Sequence, residues 1–104
     1  MSHTIRFDDE THSHFVRLTA RQRSAVLAAI DEQLSHEPAL ETRNRKPMQA
    51  DKPGFIAPWE LRVAGNLREY YDVQDGPAPI VLVIAIGVKT RSRVRIGDRE
   101  VEAP

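Results

Sequence analysis

The run Ile80-Val-Leu-Val-Ile-Ala-Ile86 constrains this chain more than any other stretch. It holds no polar residue and lies between Pro79 and Gly87. A membrane-spanning helix needs about 20 apolar residues, so the run is far too short to be one. Its length and β-branched content predict a strand buried on both faces at the centre of a sheet, ended by Gly87. The remainder of the chain must provide its neighbours.

Two neighbours precede it. Trp59, Leu61 and Val63 alternate with Glu60 and Arg62, which sets apolar side chains on one face and charges on the other. Ala64-Gly65-Asn66 reads as a tight turn. Beyond it, Leu67, Tyr71 and Val73 share a face that Glu69 interrupts, while Arg68, Tyr70 and Asp72 share the other. Asp75-Gly76-Pro77 makes the next turn. Arg93–Ile96, followed by Gly97-Asp98 and then Glu100 and Val101, reads as a final hairpin.

The N-terminal part reads as a covering layer. Thr4–Phe7 is a short β-prone run, expected as an edge strand. Asp8 or Asp9 is placed to cap a short helix carrying Phe15 and Leu18. Thr19-Ala-Arg-Gln22 has the capping-box pattern and opens the strongest helix, from Ala20 to about His36. There Val26, Ile30 and Leu34 recur every fourth residue, with Leu27 beside them, and Pro38 stops the helix. Residues 39–57 have no clean period and contain Pro47, Pro53 and Gly54; a connection this long is usually functional or mobile. The order is β-α-α-β-β-β with a further small β element. It predicts a single α+β domain over residues 1–104, with a helical hairpin on one face of a twisted antiparallel meander.

Fifteen basic and fifteen acidic side chains balance overall but are segregated. Residues 1–42 carry a net −3, residues 43–56 a net +3, residues 57–75 a net −2 and residues 76–104 a net +2. Two basic islands on a neutral chain suggest a local anion site and argue against a broad duplex-DNA footprint. The absence of cysteine excludes disulfides, thiolate chemistry and Cys-ligated zinc, and fits a cytoplasmic location. The N-terminus has no apolar stretch of the secretory kind, and no membrane association is expected.

The candidate site residues are cationic: Arg43, Arg45, Lys46, Arg62, Arg68, Lys89, Arg91, Arg93 and Arg95. Such a group cradles phosphate and stabilises a charged transition state, and it also occurs as a plain solvated surface. Tyr70 is the aromatic expected to face solvent and stack on a base, whereas Trp59 is expected in the core. His12 and His14, two residues apart, point in different directions on a helix and make no metal pair; the histidines are expected at the surface. No metal or cofactor is expected, and no phosphate-binding loop, dinucleotide fingerprint, serine elbow or HExxH pattern is present.

The strings ETRNRKPM, WELRVAGNLREYYDV and VLVIAIGVK, in this order, resemble the RelE/ParE superfamily of type II toxin–antitoxin toxins. The shared pattern is a basic loop after a helical hairpin, a W-x-L-R strand, a G-x-x-R-x-x-Y strand (Gly65, Arg68, Tyr71) and a buried strand ending in Gly and a basic residue. It covers nearly the whole chain, from Ile5 to about Val101. The resemblance implies the RelE-like β-α-α-β-β-β fold. For RelE-type members it implies ribosome-dependent mRNA cleavage without metal, the 2′-hydroxyl attacking the adjacent phosphate. For ParE-type members it implies inhibition of DNA gyrase. Either kind is neutralised by a cognate antitoxin.

Carried onto this chain, Arg68 matches the family's phosphate-contacting arginine and Lys89 the basic residue after the buried strand. Arg95 stands where the nucleases have a base-stacking tyrosine. Pro58 and Glu60 stand near their second-strand lysines. The implied catalytic set is therefore Arg68, Lys89 and Glu60, the last as a base toward a 2′-hydroxyl. Arg43, Arg45, Lys46, Arg62, Tyr70, Arg91 and Arg95 would bind RNA. The expectation is an mRNA endoribonuclease toxin whose partners are antitoxin, ribosome and mRNA. The alternatives are a gyrase-binding toxin and a catalytically degenerate member that keeps only antitoxin binding.

Overall fold

The computed structural model describes residues 2–103. Its elements run β1 (Thr4–Phe7), α1 (Thr11–Val16), α2 (Ala20–Leu34), β2 (Arg45–Pro47), β3 (Trp59–Arg62), β4 (Leu67–Gln74), β5 (Ile80–Thr90), β6 (Arg93–Ile96) and β7 (Arg99–Glu102). One sheet holds the strands in the order β2-β3-β4-β5-β6-β7, every neighbour antiparallel. β1 joins β5 in parallel, Thr4 opposite Ile80 and Phe7 opposite Val83. The α+β class stands as expected, with three differences. β1 is parallel, β2 adds a strand inside the aperiodic connection, and Gly87 does not end β5, which continues to Thr90.

Gly87 stays in the strand because the space beside it is taken. A Cβ there would lie 2.7 Å from the Arg95 carbonyl oxygen and 2.7 Å from Val94 Cγ1. Only glycine lets β6 approach this closely, a packing use of the residue and not a turn.

Helix α2 begins as its sequence dictates. The Gln22 amide donates to Thr19 Oγ1 at 3.1 Å, and the Thr19 amide donates to Gln22 Oε1 at 2.9 Å. Val26, Ile30 and Leu34 are buried, while Leu27 is half-exposed beside the stripe. Neither Asp8 nor Asp9 caps α1; Glu10 holds the cap position without a side-chain bond, and Thr11 donates its hydroxyl to the Asp8 carbonyl at 2.6 Å. Pro38 ends the helical layer and is itself buried, its carbonyl accepting from the Tyr71 hydroxyl at 2.7 Å.

Both faces of the sheet are covered. On the helical side Leu18, Val26, Ile30 and Leu34 pack on Leu61, Leu67, Tyr71, Val81, Val83 and Ile86. Each fully buried Leu, Ile or Val contributes about 1.5–3 kcal/mol relative to exposure. Trp59 packs against this core, stacked on Tyr71 with ring centroids 6.1 Å apart. On the far side Tyr70, Ala85, Val94 and Ile96 are roofed by Ala57, with Met48 and Ile56 packed around them. Those last three belong to the connection between β2 and β3, which is pinned at its neck by a 2.7 Å bond from the Met48 amide to the Pro58 carbonyl. A bulge at Tyr70/Tyr71 places Ile84 and Ala85 together on the far side.

The outer edge of β5 is shared. β1 pairs with residues 80–83 and β6 with residues 87–90, which leaves a gap between them. His14 fills it from α1: the Ile86 amide donates to His14 Nδ1 at 3.3 Å. His14 is buried, contrary to the surface position expected for it, because the gap needs an acceptor and α1 delivers one.

Candidate functional site

Cross-strand register decides which charges meet. Paired residues project to the same face. The row Lys46–Glu60–Tyr70–Ala85 and the row Arg62–Arg68–Gly87–Ile96 therefore share the far side of the sheet. Lys89, opposite Val94, belongs to the same face. Arg62 and Arg68 stand directly opposite one another. Like charges so placed repel, and no acid neutralises them: the ion pairs among the described residues are His3–Asp75 and Arg93–Glu100.

Arg68 is half-buried and folds back on its own turn. Its Nη1 donates to the carbonyls of Gly65 and Leu67, each at 3.0 Å. Gly65 supports this with φ of +56°, a conformation that glycine adopts without strain. The Nε of Arg68 is buried and has no partner among the described residues. Lys89 is half-buried, and its backbone amide donates to the Asn66 carbonyl at 2.8 Å, which fastens it beside the same turn.

Sheet spacing gives the scale. One strand sideways and two residues along put the Arg68 Cα about 8 Å from those of Glu60 and Lys89, on opposite diagonals. Glu60 and Lys89 are then about 16 Å apart. Arg68 is the middle of a line whose ends do not meet.

Two expected RNA contacts are withdrawn by the structure. Tyr70 has no exposed surface, because the β2–β3 connection covers the face on which it lies. Burial, then the negative field of Glu60 and a side-chain hydrogen bond to it, push its hydroxyl ionisation up. Arg45 lies on the helical side opposite Leu61 and is buried; it donates to the Leu40 carbonyl at 3.0 Å and to the Gln33 carbonyl. It closes the C-terminal end of α2, where a cation is favoured.

The remaining cations are scattered. Arg93 and Arg95 alternate with buried Val94 and Ile96, so they point to the face opposite Arg68. Arg93 there pairs with Glu100 at 3.2 Å. Arg91 occupies the β5–β6 turn at φ of +56° and is exposed, as is Arg43 before β2. The structure brings together Arg62, Arg68 and Lys89, with Lys46 and Glu60 adjoining, and turns Arg95 to the other face.

Beside Glu60 lies a groove of about 420 Å³ lined by Lys46, Pro47, Met48, Gln49, Lys52 and Glu60. A larger apolar groove of about 630 Å³, on the helical side, is lined by Phe7, Phe15, Val16 and Leu27 together with Asp8, Asp9, His12 and Arg23. Among the described residues no group of three His, Asp or Glu side chains could hold a metal ion, and no helix is long and apolar enough to cross a membrane.

Two buried ionisable groups escaped the sequence reading. Glu69 has no exposed surface, and neither carboxyl oxygen has a partner among the described residues; burial holds its carboxyl well above the usual carboxylate range. Its place among Leu67, Tyr71 and Val73 was the available signal. His14 is the other, its basicity lowered by burial against the nearby charge of Glu10. No protein-family model and no curated protein matches this chain.

Proposed function

We propose that the chain is a RelE-like toxin that cleaves mRNA on the ribosome without a metal. The observation that carries this reading is the Arg62–Arg68 pair, directly opposed and unneutralised, with Lys89 on the same face. Like charges set directly across a ladder destabilise it, and a bound anion would relieve them. In the reaction, the ribose 2′-oxygen bonds to the adjacent phosphorus and its proton passes to a base. The bond from phosphorus to the 5′-oxygen breaks, and that oxygen takes up a proton. The products are a 2′,3′-cyclic phosphate and a 5′-hydroxyl. Arg68 and Lys89 stabilise the charge gathered on the phosphoryl oxygens, and Arg62 holds the neighbouring backbone. The partner in this reading is an antitoxin, for which the apolar groove by α1 offers a protein-binding surface away from Arg62, Arg68 and Lys89.

The test is expression of the chain followed by mapping of mRNA ends. Codon-linked cuts that need ribosomes, lost in Arg68→Ala with Lys89→Ala, are expected; intact mRNA from folded protein overturns the proposal. A second reading, a toxin that inhibits gyrase by binding, is favoured by one observation. Glu60 adjoins Arg68 but stands about 16 Å from Lys89, so its carboxylate and the Lys89 ammonium do not meet over one phosphate. Supercoiling inhibition with intact mRNA would establish it.

A further inference from the structure

Glu60 stands out within its groove. It is half-buried, forms no ion pair among the described residues, and lies directly across the ladder from Lys46 on β2. The groove's other polar walls are Gln49 and Lys52, and its apolar surface is Pro47 and Met48. The volume of about 420 Å³ falls within the range of small-ligand sites. The shape of the wall is maintained by the Met48–Pro58 backbone bond at the neck of the connection. Beneath it the Tyr70 hydroxyl is buried beside the Glu60 carboxylate, to which it offers one donor, and the carboxylate keeps acceptor capacity for a ligand.

A carboxylate offers two acceptors side by side, and flanking ammonium groups offer donors. The complementary ligand edge has two adjacent N–H donors next to an acceptor. Among the four RNA bases only guanine has it, with N1–H and the N2 amino group beside O6. Adenine and cytosine set a ring-nitrogen lone pair next to their amino group, which would face the second carboxylate oxygen. Uracil presents one N–H between two carbonyls.

We infer that this groove is a guanine-recognition site. Glu60 accepts from N1–H and N2–H, Lys46 or Lys52 donates to O6, and Pro47 and Met48 lie against the base plane. The inference rests on the reading of this face as RNA-binding, and gives the base presented next to the Arg68–Lys89 phosphate site. It also gives Glu60 work that its distance from Lys89 permits.

The test is equilibrium binding of GMP, AMP, CMP, UMP and IMP to the intact chain, followed by NMR titration. GMP is expected to bind about tenfold or more tighter than AMP, CMP and UMP, the discrimination typical of one bidentate base contact. IMP, which lacks the N2 amino group, should fall between. Glu60→Gln should bring the five ligands to similar affinity, with the dispersion of the protein's own resonances unchanged. Equal binding of all five by the unaltered chain, no binding of any, or a guanine preference that survives Glu60→Gln would each overturn the inference. Binding is read without cleavage, so a guanine preference in a chain that leaves mRNA intact sinks the nuclease reading alone, and codon-linked cleavage without the preference sinks this inference alone.

Discussion

The imidazole of His14 accepts the backbone N–H of Ile86 at 3.3 Å, at the one stretch of the β5 edge that neither β1 nor β6 reaches. Gly97 makes room for the ring: a Cβ there would stand 3.2 Å from His14 Cδ2. The acceptor role requires Nδ1 without a proton.

Stability should therefore fall in mild acid. Burial lowers the folded-state pKa of His14 below the ordinary imidazole value of 6.5. Below that value the unfolded chain binds more protons than the folded one, so the contribution is intact above pH 6.5 and is lost as pH falls through the folded pKa. Glu10 and Asp8 oppose the shift, and Arg99 adds to it. His14→Phe leaves the Ile86 amide unpaired and should cost about 1–3 kcal/mol at neutral pH, with a flatter acid limb. Urea unfolding between pH 5 and pH 8 measures both; an unchanged acid limb would contradict the assignment.

Glu69 should act in the opposite direction. Burial holds its folded pKa well above the ordinary carboxyl value of 4.5, so folding takes up a proton above that pH and stability declines as pH rises. Glu69→Gln keeps the shape and removes the charge. It is expected to gain about 1 kcal/mol or more at pH 7 and little at pH 4. A variant less stable at both values would show that the carboxyl has a partner after all.

Position 87 should not tolerate a side chain. Gly87→Ala drives a methyl into the Arg95 carbonyl and Val94, and overpacking of this kind costs about 1–3 kcal/mol. The cost would be seen as a lower thermal midpoint with β6 and β7 amides exchanging faster. An alanine variant as stable as the parent would refute the close approach of β6.

Relief of repulsion gives a separate check on the cationic face. Arg62→Ala should raise stability by a few tenths to about 1 kcal/mol, and the gain should shrink as salt screens the pair. In the nuclease reading the same substitution weakens RNA binding. Arg68→Ala and Lys89→Ala should each lose about 2–4 kcal/mol of transition-state stabilisation in cleavage kinetics.

Local chemistry was legible in the residues. The Thr19–Gln22 capping box, the every-fourth-residue stripe to Leu34, the turn at Gly65 and the buried β5 all follow from patterns a few residues long. What was not legible depended on distant parts of the chain. Tyr70 alternates like an outward residue, yet a connection with no period of its own covers it. β2 has three residues and ends in a proline, so nothing but its partner β3 marks it as a strand. His14 resembles any helix-surface histidine until two strands end short of each other beside it. Of the cationic site, alternation placed Arg62 and Arg68 correctly, but register was needed to show that Arg95 faces away.

The edge that β1 and β6 divide has a consequence for how the molecule comes into being. Thr4 pairs with Ile80, so β1 has no partner until β5 has been synthesised. Until then the chain can form α2 and the β3–β4 hairpin but not the completed sheet, because closing so long a loop is slow and depends on residues not yet present. Arg62 and Arg68 are thus aligned by a local hairpin, whereas Lys89 joins them only when β5 pairs with β4. The cationic face is completed in two steps separated in time.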